Sequence, residues 1–215
     1  MIQLTDIQPV PIKETTNGIR PDSQIFATRV AFEKKRRHLV IAPSGKGKST
    51  LLHILYGLRN DYEGDVFYDQ KNIRDLSPDE WSEYRQTKLS IVFQDLRLFP
   101  RLSALDNLLL KTALTPVKSE TDLRKMAARL GVEGLLDKKA QTLSYGQRQR
   151  FAILRALCQP FEYLLLDEPF SHLDEENTAA ACALIEEELD ARDAALIMVS
   201  LGEKYGFRYD KELIL

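Results

Sequence analysis

Several common features are scarce or missing from this 215-residue chain, and each absence narrows what it can be. There are two cysteines, Cys158 and Cys182, far apart and without partners at metal-ligand spacing. That excludes a disulfide framework and leaves buried or neutral thiols in a reducing cytosol as the expectation. No apolar run approaches the roughly 20 residues needed to cross a bilayer. The amino-terminal segment "MIQLTDIQPVPIKETTNG" lacks the apolar centre of a secretory leader, so work at a membrane would need spans supplied by another chain. Neither sign of charge dominates: 30 Lys and Arg face 32 Asp and Glu, which gives no overall electrostatic footprint for nucleic acid. No aromatic residue precedes Phe26, and there are no internal repeats or low-complexity linkers.

What is present reads as alternating strands and helices. "QIFATRVAF", "HLVIA" and "GDVFYD" are β-rich, and the basic run Lys34 to Arg37 between the first two reads as a solvated turn. "KSTLLHILYGL" carries apolar residues at helical spacing, so the strand "HLVIA" runs through a loop into a helix. Ser77 as N-cap and Pro78 behind it announce another helix, followed by the short strand "LSIVF". The stretch from about Leu102 to Pro160 is helical; "YLLLD", "AALIMVS" and "KELIL" are strands, with a helix over "EENTAAACALIEEELDAR". This order predicts an α/β fold with a mainly parallel sheet, an antiparallel β part near the amino terminus and an inserted helical subdomain at about 95–160 of a single domain over 1–215.

Two segments carry chemistry. "APSGKGKST", Ala42 to Thr50, is one residue away from the phosphate-loop pattern G-x-x-x-x-G-K-[ST], and it has the strand before it and the helix after it that such a loop requires. Gly45 and Gly47 let the backbone wrap close to phosphate oxygens, with Pro43, Ser44, Lys46 and Thr50 completing the turn. Lys48 would reach the β- and γ-phosphates and Ser49 would offer its hydroxyl to Mg²⁺. Ala42 precedes Pro43, which pushes it to extended angles that alanine adopts without strain, so the missing glycine costs little. "YLLLDEP" then places Asp167 and Glu168 at the carboxyl end of a buried strand, where Asp167 would hold Mg²⁺ and Glu168 would take a proton from an attacking water.

"TLSYGQRQRFAILRAL" resembles the L-S-G-G-Q signature of ABC ATPases, here Leu143-Ser144-Tyr145-Gly146-Gln147. The resemblance continues in family order: the phosphate loop, Gln94 in "IVFQD" at the Q-loop position, the signature, "YLLLDE", and "SHLD" at the D-loop position. It implies a P-loop ATPase core that uses ATP and Mg²⁺ and closes head-to-tail with a second ATPase domain, as a homodimer or heterodimer. Ser144, Gly146 and Gln147 would then face nucleotide held by the partner. Gln94 would touch Mg²⁺ or the attacking water, so that Lys48, Gln94 and Glu168 form the catalytic group and Ser49, Gln94 and Asp167 the metal side.

Three departures from the family pattern stand out. Tyr145 replaces a glycine at the third position of the signature, and with Gly146 retained the replacement is expected to be tolerated. Leu201, after the strand "AALIMVS", stands where the family has a histidine against the γ-phosphate, and leucine neither donates nor accepts a hydrogen bond. Hydrolysis is expected to persist, slowly or with help from a partner domain; the alternative is a module that binds ATP with little or no turnover. The usual adenine-stacking aromatic is also missing: Phe26 reads first as core, and an aliphatic contact such as Ile19 is the substitute.

A single cassette without spans resembles the separate ATPase subunit of a membrane complex, cytoplasmic and bound to the inner face of the membrane through a transmembrane permease, with no nucleic-acid partner. "VFQDLRLFPRLSALDNLLL" and "LGVEGLLDKKAQTLSYGQ" are similar to the class serving lipoprotein release, macrolide export and cell division. Leu96, Leu98, Phe99 and Leu102 would either line a groove for the permease or pack the helical subdomain onto the core.

Overall fold

The computed structural model describes residues 1–14 and 18–215; residues 15–17, at the end of the segment read for a leader, lie outside the described residues. Two sheets organise the chain. The first is antiparallel, with strands in the order β2-β1-β4-β5, where β1 is Ile2–Pro9, β2 Arg29–Phe32, β4 Tyr62–Tyr68 and β5 Lys71–Asn72. The second is parallel throughout, in the order β6-β7-β8-β3-β9, with β3 Arg37–Ile41, β6 Leu89–Val92, β7 Tyr163–Asp167, β8 Ala195–Ser200 and β9 Lys211–Ile214. This is the α/β architecture expected from the alternation of strands and helices.

The parallel strands are apolar on both faces because both are covered. On β7, Leu164 and Leu166 join the core beneath the helical insertion, whereas Tyr163 and Leu165 join the core shared with the antiparallel sheet. The period of two in a strand assigns them this way. After the short helix α1 (Val10–Lys13) that follows β1, helix α2 (Lys48–Leu55) packs on the second side, and α3 (Pro78–Thr87) adds Trp81 and Tyr84 there. Between β6 and β7 the chain inserts α4 (Ala104–Thr112), α5 (Glu120–Arg129) and α6 (Tyr145–Leu157), and α7 (Glu175–Arg192) follows β7. Ser77, Ser103, Ser119 and Ser144 each close a reciprocal capping box with the residue three ahead, which gives α3 to α6 defined starts.

One local expectation is corrected. "QIFATRVAF" is a strand only from Arg29: the Ser23 hydroxyl accepts from the amides of Ile25 and Phe26, and Ala27 sits at φ 54°, so the first half turns. The basic run joins β2 to β3 through an exposed turn, as expected, and its charges are paired across the surface. Lys34 meets Glu162, Lys35 meets Asp193, Arg36 meets Asp210, and Arg37, already in β3, meets Glu186 and Asp190. Leu96 is buried in the core and Leu98 packs against it, so of the proposed groove residues these two serve the packing of the insertion. No helix among the described residues is long and apolar enough to cross a membrane.

Candidate functional site

In a parallel sheet the loops after the strands all leave one edge, where ligands bind. Register brings four of them together: Ile41 pairs with Ser200, Asp167 with Val199 and Val92 with Leu166. The phosphate loop, the Gln94 loop, Glu168 and Leu201 therefore emerge side by side. A cavity of about 310 Å³ opens there, lined by Pro11, Ile12, Ser44, Gly45, Gly47, Lys48, Ser49, Thr50, Gln94 and Glu168.

Its floor is the start of α2. Gly47 is the N-cap in the left-handed region, φ 99°, and a Cβ there would come within 2.4 Å of Ile12 Cδ1 and 3.0 Å of Phe26. Only glycine satisfies both conditions, and the result is a helix amino terminus at the cavity, a position suited to an anion. The Lys48 side chain is buried, with its ammonium donating to the carbonyls of Ala42 and Pro43 at 2.9 and 3.1 Å and lying 3.1 Å from Glu168 Oε1. Ala42 is fully buried, has no left-handed backbone, and donates its amide to the Ser200 carbonyl at 3.2 Å.

Asp167 and Glu168 have different surroundings. Asp167 is buried, its Oδ1 has no hydrogen-bond partner, and burial raises its carboxyl above the usual range against the pull of the Ser49 hydroxyl. Ser49 Oγ lies 3.5 Å from Gln94 Oε1. An orphaned carboxylate oxygen, a hydroxyl and an amide oxygen form an all-oxygen set that suits Mg²⁺. Glu168 sits at φ 48°, a strained conformation for a residue with a side chain, and it turns toward the cavity beside Lys48.

Ser144, Gly146 and Gln147 do not line this cavity. Ser144 Oγ accepts from the Gln147 amide and the Gln147 side chain accepts from the Ser144 amide, so both act in capping α6. Gly146 has a second reason to be glycine: a Cβ would lie 3.0 Å from the carbonyl oxygen of His172. Pro43, Lys46 and Asp167 flank the cavity without lining it.

The chain belongs to the ABC transporter family. The family model described as ABC transporter matches residues 27–171. The lipoprotein-releasing system ATP-binding protein LolD of Syntrophotalea carbinolica is 30% identical over 93% of this chain and 88% of that protein. The macrolide export ATP-binding/permease protein MacB of Escherichia coli is 37% identical over 81% of this chain, which spans 27% of that longer protein. A solved dimer of the ATP-binding cassette MJ0796, in a post-hydrolysis state bound to ADP and Pi, superposes with a TM-score of 0.77 at 27% identity, covering 93% of this chain and 88% of that one. The chain is an ABC ATPase, the ATP-binding subunit of a transporter.

Two features escaped the sequence reading. Gln149, buried on the apolar stripe of α6, donates to the Glu168 carbonyl at 3.4 Å and accepts from the His172 amide at 3.3 Å, tying the residue after β7 to the following loop. A glutamine four residues before Ile153 on that stripe was the available signal. The cavity wall carries Pro11 and Ile12, with Ile19 outside it and Phe26 in the core. The aliphatic side chain on the cavity wall is Ile12, a residue that no motif marks.

Proposed function

We propose that this subunit closes with a second ATPase domain, identical or different, on two molecules of MgATP, and that closure and reopening drive a transmembrane permease. The permease would release or export a lipoprotein or another amphipathic substrate from the membrane. The observation that carries this reading is the convergence of the phosphate loop, Gln94, Asp167 and Glu168 at one sheet edge. The similarity to LolD and MacB supports the substrate class.

In this reading the α2 amides and Lys48 hold the β- and γ-phosphates, and Pro11 and Ile12 offer the base an apolar wall. Ser49, Gln94 and Asp167 would hold Mg²⁺, which when bound neutralises charge developing on the phosphates. The water oxygen attacks the γ-phosphorus, its proton passes to Glu168, and the bond to the β-phosphate oxygen breaks to leave ADP and phosphate. Ser144 and Gly146 would present the amino terminus of α6 to the nucleotide of the other domain. The permease would seat on the exposed apolar side chains Phe99 and Leu114, 55% and 59% exposed, at the cytoplasmic face. Asn107 holds Phe99 on this face by bonding both its amide and its carbonyl.

A second reading, a cassette that binds ATP and turns over little, is favoured by the turn after β8. Leu201 is 51% exposed there, and the Ser200 hydroxyl is engaged with Glu203 and Gly202. Phosphate release and ATP-induced thermal stabilisation separate the two. We expect Glu168→Gln to keep the stabilisation and to lose at least about 100-fold in rate, and Lys48→Ala to lose the stabilisation. Equal rates in wild type and Glu168→Gln would remove Glu168 from the mechanism.

A further inference from the structure

Tyr145, which occupies a glycine position of the signature, makes contacts that glycine cannot. As the first residue of α6 it sends its side chain toward the loops that carry Gln94 and His172. Its hydroxyl donates to the main-chain carbonyl of Gln94 at 2.9 Å. Its ring packs on His172, with centroids 4.2 Å apart, and the Arg148 guanidinium lies 5.4 Å from its centroid. The ring also closes a small cavity with Asp95, Leu96 and Pro100. One side chain thus joins three loops: the start of α6, the Gln94 loop and the His172 loop.

We propose that Tyr145 is a positioning residue for Gln94. The Gln94 loop has little regular structure to hold it: Leu96 and Arg97, just beyond, stand at φ 61° and 47°, and the Gln94 side chain reaches Ser49 only at 3.5 Å. A hydrogen bond to the Gln94 carbonyl fixes the peptide plane next to the Cα from which that side chain departs, and so limits where its amide oxygen can point. The ring on His172 anchors the tyrosine from the other side, so the hydroxyl does not follow the loop but restrains it. A glycine at this position would leave the Gln94 carbonyl to solvent. This inference rests on Gln94 acting at the metal and water side of the site, as proposed above.

The test combines Tyr145→Phe, Gln94→Ala and the double variant. In the nucleotide-free chain, hydrogen–deuterium exchange over residues 93–97 is expected to quicken about fivefold in Tyr145→Phe, the worth of one neutral hydrogen bond, while α2 is unchanged. With MgATP, kcat is expected to fall about fivefold with KM held within twofold. In the Gln94→Ala background Tyr145→Phe is expected to have no further effect on kcat, because the two residues act as one. Tyr145→Gly should reproduce the Phe result on kcat and exchange. The inference is overturned if exchange over 93–97 is unaltered, or if Tyr145→Phe costs the same in both backgrounds. A Gln94→Ala variant with wild-type kcat would overturn the role given to Gln94, and this inference with it.

Discussion

The loops that follow β3 and β8 leave neighbouring strands at the same edge of the sheet, yet they are built in opposite ways. After β3, nearly every group is committed: Gly47 is forced by its backbone and its neighbours, Lys48 is buried among three oxygens, and Ala42 is anchored to Ser200. After β8, the chain turns on the Ser200 hydroxyl and presents an exposed leucine. Both loops depart from the family pattern by one residue, but the departures differ in weight. Alanine at 42 needs only an extended backbone, which its proline neighbour already imposes. Leucine at 201 removes every hydrogen-bonding capacity of its side chain. In the proposed account the first loop holds the phosphates whatever stands at 42, whereas the residue at 201 bears on how fast Glu168 and Gln94 can act.

The largest expected effect that bears on this contrast comes from Asp167, which ends β7 beside β8 and feels the Ser49 hydroxyl of the first loop. Burial raises its carboxyl above the ordinary range, so the folded chain binds a proton that the unfolded chain has released. The sign follows: stability associated with protonated Asp167 is complete at pH below the ordinary aspartate value and is lost as pH rises through the raised one. Asp167→Asn should therefore melt a few degrees higher than wild type at neutral pH without Mg²⁺, and lose that pH slope. It should also lose about 100-fold or more in hydrolysis. A lower melting temperature for the variant would show that the buried carboxylate is satisfied and would break the assignment of its free oxygen to a metal.

A smaller effect is expected from Ala42→Gly, which restores the family glycine. Because Ala42 is buried without left-handed angles, the change should lower stability by about 1 kcal/mol through chain entropy and the lost methyl. ATP affinity, measured by titration, should stay within twofold. A clear gain in affinity would mean that the alanine does distort the phosphate cradle.

Sequence reading reached the parts of this molecule whose constraints are local. The phosphate loop was legible because glycine, lysine and serine at fixed spacing must lie between a strand and a helix, and Asp167 and Glu168 because a buried apolar strand has to end where acids begin. The capping Ser77 announced α3. What stayed hidden depends on contacts far along the chain. Strand β1 was not singled out, although it is the centre of the antiparallel sheet, because its meaning comes from pairing with β2 and β4. Ile12 reaches the cavity only because the segment after β1 folds over Gly47. Tyr145 was read as a tolerated replacement, and its bond to Gln94, 51 residues away, could not be seen without the fold.

The contrast between the two loops is tested most directly by measuring ATP affinity and single-turnover hydrolysis together in wild type and Leu201→His. The account predicts affinity within twofold and hydrolysis faster by about tenfold, as expected for a side chain newly able to bond the reacting phosphate. An unchanged rate with unchanged affinity would contradict it, and would show that the turn after β8 does not limit this site.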